Sequence, residues 1–299
     1  MLARARQSLD YRDLLYNLVV RDLKVRYKHS VLGFFWSLLN PLLLMLVFTF
    51  VFTQLLPADK AKPAFHIFFL TALLPWNWCA TSISGTLASI VGNAHLIKKV
   101  YFPREMLPVS VVISNMINFA LSLPALLFFM LVLRPPELGS PFGPPVGFAS
   151  VPTMDPWEAG SVVLTPGCTH VCLNEHLLWL PVLIVIQVLF LTGLGFFLAA
   201  LNVFFRDTSV LVEVGLSAWF FLTPIIYDAR EVVPDYTELM YRLNPMASIV
   251  AVYRNIFYYN EAGSPDALFI LRTLVTCLVI FVLGYLFFMR TSRKFGEEI

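Results

Sequence analysis

The 299 residues of this chain are 58% hydrophobic and only 13% charged, with a mean hydropathy of +0.75 and a formal net charge of +2. A water-soluble domain carries about a quarter of its residues charged, so a free-standing soluble enzyme or binding module is excluded. The net charge says little about partners, whereas the placement of the charges says a good deal.

The chain begins with a basic, amphipathic segment. Residues 10–30, DYRDLLYNLVVRDLKVRYKHS, read as a helix too charged to cross a membrane. Tyr11, Leu14, Leu15, Leu18 and Val19 fall on one face, while Arg21, Lys24 and Lys28 share another. Such a helix beside a span is expected to lie in the cytoplasmic interface.

Six stretches almost free of charge follow, at 33–56, 65–91, 106–133, 177–205, 208–227 and 267–289. A hydrocarbon core about 30 Å thick takes about 20 apolar residues as a helix, so these are predicted transmembrane spans. Only helices satisfy their own backbone within one segment in lipid, which makes the fold class all-α integral membrane. The first run is too long for the core of a cleavable signal, so that span is expected to be retained. Pro41 and Pro75 fall inside spans and predict kinks whose freed carbonyls neighbouring helices satisfy. The chain reads as a single transmembrane domain over residues 1–299.

Three connections matter. The 92–105 connection carries Lys98, Lys99 and Arg104. The 134–176 segment holds eight of the 20 prolines and reads as an irregular external loop. Its Cys168 and Cys172 would pair readily in an oxidising compartment. A metal site with His170 and His176 remains an alternative, although zinc spacing is missing. In 228–266 the run after Asn244-Pro245 is too short to cross a bilayer, so it reads as a re-entrant or interfacial helix against a cavity. Fourteen of the 21 Lys and Arg residues fall in the N-terminal segment, the 92–105 connection, the turn at Arg206 and the C-terminal tail. By the positive-inside rule both termini are then cytoplasmic, which an even number of spans requires.

Catalytic motifs are missing. No G-x-x-x-x-G-K-[ST] loop occurs, so ATP cannot be held here in that way, and neither H-E-x-x-H nor G-x-S-x-G is present. Glu213 and Arg272 are the clear charges inside apolar runs. Glu213 reads either as an interfacial residue or as part of a pathway.

The opening Arg21-Asp22-Leu23-Lys24-Val25-Arg26-Tyr27-Lys28, followed by Ser30-Val31-Leu32-Gly33-Phe34-Phe35-Trp36 and Asn40-Pro41, resembles that of polysaccharide, O-antigen and teichoic-acid export permeases. These are membrane subunits of ATP-binding-cassette exporters. Leu96–Glu105, Phe205-Arg206-Asp207, Thr223-Pro224-Ile225-Ile226-Tyr227 and Leu243-Asn244-Pro245 extend the resemblance in order. It implies six spans, a homodimer in a bacterial inner membrane, and two separate ATPase subunits that bind ATP and Mg. No cofactor is expected in this chain. The N-terminal helix and the 96–105 loop would touch the ATPase through Arg21, Lys24, Lys28, Lys98, Lys99 and Arg104, with Tyr101 and Phe102 as apolar anchors. Asn244 and Pro245 would belong to an external gate. The 134–176 loop is longer than this resemblance leads one to expect.

Six helices cannot enclose a pore wide enough for a sugar chain, whereas two copies about a two-fold axis can. Sugar rings slide along aromatic faces, which makes Phe34, Trp36, Trp219, Phe220 and Tyr227 candidate channel residues. Two alternatives compete. One is a drug or small-lipid exporter of the same superfamily. The other is a membrane-embedded glycosyltransferase or ligase using Asp228, Glu231 and Asp235.

Overall fold

The charge-poor runs become helices, and many of their inward polar groups are satisfied by backbone of the same or a neighbouring helix. The structure, a computed structural model, describes residues 11–28, 35–52, 65–100, 102–132, 175–259 and 266–298. Among these residues there is no strand. The helices are α1 (Arg12–Tyr27), α2 (Phe35–Phe50), α3 (Phe65–Val91), α4 (Ala94–Lys99), α5 (Met106–Val132) and α6 (Trp179–Phe204). They continue as α7 (Thr208–Leu222), α8 (Ala229–Val232), α9 (Thr237–Leu243), α10 (Pro245–Arg254), α11 (Ala267–Thr291) and α12 (Phe295–Glu298). Most of the 134–176 loop, with Cys168, His170 and Cys172, lies outside the described residues.

Four helices are long and apolar enough to cross a membrane: α3, α5, α6 and α11 with its short extension. This is an all-α membrane protein. The other two predicted spans are described over shorter stretches. The first is described from Phe35 to Phe50 and turns on through residue 52. The run predicted over 208–227 stops at Leu222, because Pro224 disfavours helical backbone at Thr223, whose ψ is 130°. Its 15 residues span roughly 22 Å, short of a bilayer core.

α3 is the central helix. It is buried along 78% of its apolar stretch, against 22% for the peripheral α11. It packs against α2, α5, α6, α7 and α10. Its hydroxyls turn back onto their own helix: Thr71 donates to the Phe68 carbonyl, Thr86 to Ile83 and Ser89 to Thr86. That local bonding lets small polar residues sit in an apolar core without orphaned donors. Between α3 and α6, Gln187 Nε2 donates to the Pro75 carbonyl and Asn202 Nδ2 to that of Leu87, both at 2.9 Å. α6 and α11 approach through facing glycines, Gly193 and Gly284, where a Cβ on either would collide with the other helix's backbone.

The core divides in two. A large cluster of Phe, Trp and aliphatic residues fills the middle and one end. A smaller one, around Leu18, Phe102, Phe196 and Phe288, fills the other end, where α1, the 92–105 connection and the C-terminal residues meet. This second end carries the basic residues. The predicted apolar face of α1 is present: Leu18 and Val19 are buried, and Tyr11, Leu14 and Leu15 pack against the smaller cluster. α1 thus lies against α5 and spends that face on its own chain.

Candidate functional site

At the basic end, α1 and the 92–105 connection form one surface. Arg21 donates from Nη1 to Asn93 Oδ1 at 3.0 Å, and from Nε and Nη2 to Asp22 Oδ1 at 3.1 and 2.9 Å. Asn93 in turn donates to the Ser89 carbonyl at 2.8 Å, which ties α1 to the last turn of α3. Lys24, Lys28, Lys98 and Lys99 all point outward around this joint. Two of the residues expected to meet an ATPase are engaged within the chain itself. Phe102 is only 7% exposed and packs inside the smaller core, because Pro103 and the first turn of α5 fold it under α1. Arg104 donates to the Ser292 carbonyl and lies 6.0 Å from the Phe295 ring, which anchors the C-terminal turns. Val25 of α1 and Val100 are apolar side chains that this surface does expose. Tyr101 lies outside the described residues.

Halfway along the bundle, the outer face of α3 is polar. Thr81 and Ser84 are exposed and Asn77 is half-buried, all within one narrow helical stripe. α7 lies beside them, held by Trp219 and Phe220, each set edge-on to Trp76 at 5.7 Å. From that contact, Glu213 lies six residues back along α7, roughly 9 Å toward the basic end. This is the level of Thr81 and Ser84 on an antiparallel neighbour. Glu213 and Ser217 are both exposed, and Thr208 is the fully buried residue of α7. Val210, Val214 and Phe221 are exposed with them. The Thr81 and Ser217 hydroxyls donate to the Asn77 and Glu213 carbonyls of their own helices. The Glu213 carboxylate is the group that is costly against lipid at this depth, so it needs water or protein across it. Phe34 and the side chain of Trp36 lie outside the described residues.

The opposite end is organised by Asn244. Its Oδ1 accepts from Met246 N and Ala247 N at 3.1 and 3.2 Å, capping α10, with Pro245 at the first helical position. The same oxygen accepts from Trp219 Nε1 at 3.0 Å, and Nδ2 donates to Thr223 Oγ1 at 3.0 Å. One side chain therefore joins the start of α10 to the end of α7. Tyr227, expected to face a channel, is half-buried and donates to the Phe221 carbonyl at 3.0 Å.

Arg254, at the end of α10, carries a role that sequence reasoning passed over. It is 3% exposed, sits 3.7 Å above the Phe68 ring, and donates to the carbonyls of Tyr227 (3.1 Å) and Ile225 (2.6 Å). Burial pushes the Tyr258 phenol up to about 12; Arg254 opposes this rise, and Asp228 and Glu231 add to it. A buried charge cluster thus underlies the Thr223–Tyr227 turn. A lone cation after a short apolar run gives little sequence signal of that.

The acidic set proposed for a transferase does not assemble. Asp228 is buried as the cap of α8, accepting from Arg230 N at 3.0 Å, while Glu231 and Asp235 are exposed. Among the described residues no group of three acidic, histidine or cysteine side chains could hold a metal. Arg272 stacks on Phe269 at 4.6 Å and reaches the Tyr241 carbonyl, so it braces α9 against the start of α11.

The ABC-2 type transporter family matches residues 13–258. The chain is 35% identical over 300 residues to the O-antigen export system permease protein RfbA of Myxococcus xanthus, covering 100% of both. It is 29% identical over 298 residues to a protein of the same name from Klebsiella pneumoniae, covering 99% of both, and a second Klebsiella relative aligns equally well. The chain belongs to the ABC-2 type transporter family.

Proposed function

We propose that this chain is the permease subunit of an ATP-binding-cassette exporter that moves a lipid-linked polysaccharide across a bacterial inner membrane. Two copies and two ATPase subunits make up the working unit. The observation that carries this reading is the exposure of Thr81 and Ser84 on α3, and of Glu213 and Ser217 on the neighbouring α7, at mid-bundle depth among apolar side chains. One packed chain offers no passage, and a second copy turned about a two-fold axis would close this face into a lined path. α2 and α7 complete a count of six spans, both termini are cytoplasmic, and α8 to α10 form a re-entrant gate at the outer end. The relatives' O-antigen names favour a sugar polymer over a drug or small lipid.

Reconstitution with the partner ATPase tests this. The pair is expected to move a radiolabelled lipid-linked glycan polymer into sealed vesicles when ATP and Mg are supplied, while the permease alone hydrolyses no ATP. Glu213→Leu is expected to keep insertion and ATPase binding but to cut transport severalfold. Full transport by that variant, or ATP-driven movement of small lipids without any polymer, would contradict the reading.

A further inference from the structure

A groove of about 520 Å³ opens between α1, α3 and α5 at the basic end, apart from the mid-bundle polar face. Its mouth carries Arg21 and Arg26 against the single carboxylate of Asp22. Along α3 the groove is lined by Gly85, Ala88, Ser89 and Asn93. At Gly85 the side chain of Val111 packs directly against the helix, so that a Cβ there would meet Val111 Cγ1 at 2.6 Å. Leu107 through Asn115 line the groove along α5, a run of roughly 12 Å. A headgroup layer is only about 5–8 Å deep on each side of a bilayer. The polar lining is thus longer than a headgroup layer is deep, so a ligand that fills it must carry polar groups over more than a lipid headgroup's length.

The lining has a definite hydrogen-bonding sense. Ser110 and Ser114 already donate to the carbonyls of Leu107 and Ser110, so their oxygens are left to accept. Asn115 is 1% exposed and donates to the Val111 carbonyl at 3.0 Å, while its Oδ1 has no partner. Buried acceptors of this kind call for donors. The mouth thus suits an anion and the interior suits hydroxyl groups.

We infer that this groove binds the glycosyl-phosphate end of a lipid-linked glycan, with phosphate at Arg21 and Arg26 and sugar hydroxyls donating to Asn115 and the serines. The inference rests on the export reading above and adds a loading site to it. α1 would then serve two purposes, one face toward a partner and one edge toward the substrate. Because Arg21 also holds Asn93, filling the groove would bear directly on the joint between α1 and α3.

The test uses the full permease with its ATPase in nanodiscs of neutral phosphatidylcholine, titrated with farnesyl-diphosphate-linked N-acetylglucosamine and read by native mass spectrometry. One molecule is expected per permease chain. Farnesyl diphosphate, phosphatidylglycerol and inorganic pyrophosphate are each expected to bind at least about tenfold more weakly. Ala88→Phe, which fills the groove, and Arg26→Gln, which removes charge from an exposed position, are each expected to weaken binding at least about tenfold while the ATPase stays bound. Unchanged binding by both variants would overturn the inference. Equal binding of phosphatidylglycerol would make this a site for anionic membrane lipid, and full competition by pyrophosphate a site for free phosphate; either result contradicts it. Polymer export by a wild-type complex whose groove binds nothing would sink this inference alone. Binding at the groove without any polymer export would sink the functional reading instead.

Discussion

Single side chains hold together the end of this protein opposite the basic surface. Arg254 satisfies two carbonyls of the Thr223–Tyr227 turn from a nearly dry position, with Phe68 beneath it. Arg254→Met would leave both carbonyls short of a donor, and a loss of about 2–4 kcal/mol is expected. Lys at the same place should recover part of it, since an ammonium is charged but lacks the planar fork that reaches two carbonyls. Thermal unfolding of the purified protein checks both, and wild-type stability in Arg254→Met would refute this role. Asn244 is the second such residue. Asn244→Asp keeps the oxygen that caps α10 and meets Trp219 but loses the donor to Thr223, so it should cost less than Asn244→Ala, for which about 1–2 kcal/mol is expected. Equal losses in the two variants would contradict the cap. The two residues were unequally legible. Asn244 stands out in the sequence through the Leu243-Asn244-Pro245 match and as a gate residue, and its capping role is carried by the same Asn-Pro step before an apolar run. Arg254 looked like an ordinary flanking cation, because its partners lie 27 and 29 residues away.

At the scale of elements, helix contact is set by where side chains are missing. α6 meets α11 at Gly193 and Gly284, so Gly284→Ala must push the two helices apart. A loss of about 1–3 kcal/mol is expected from such overpacking, read as a lower yield of monodisperse protein and a lower melting temperature. Gly215 of α7 has nothing within 4 Å, and Gly215→Ala should leave both readouts unchanged or slightly improved. If the two glycines respond alike, the close approach of α6 and α11 is not what holds the bundle. Helix identity was readable from long charge-poor runs, since lipid enforces a helix wherever such a run is long enough. Helix ends were less readable. Apart from Glu213 and a few hydroxyls the run from Thr208 to Tyr227 is apolar until Asp228, and the stop at Leu222 depends on Pro224 acting on the residue before it. The fate of Phe102 and Arg104 was hidden for a different reason. Their partners come from α1 and from the C-terminal turns, and no local pattern reports contacts between segments nearly 190 residues apart.

At the scale of the whole molecule, the two ends divide the work. The basic end offers Lys24, Lys28, Lys98 and Lys99 around the Arg21–Asn93 joint, a surface suited to an acidic face of a partner. Reversing Lys98 and Lys99 to Glu should leave the protein folded, because both side chains are exposed, while ATPase co-purification falls at least about tenfold. Undiminished co-purification would make those lysines topological anchors only. The central claim is that two copies face one another across α3 and α7. It is tested most directly by oxidative cross-linking of single-cysteine variants in native membranes, with Ser217→Cys set against Val275→Cys on the exposed face of α11. The account predicts a covalent dimer through position 217, strengthened or weakened by ATP, and none through position 275. A dimer through 275 with none through 217 would contradict it.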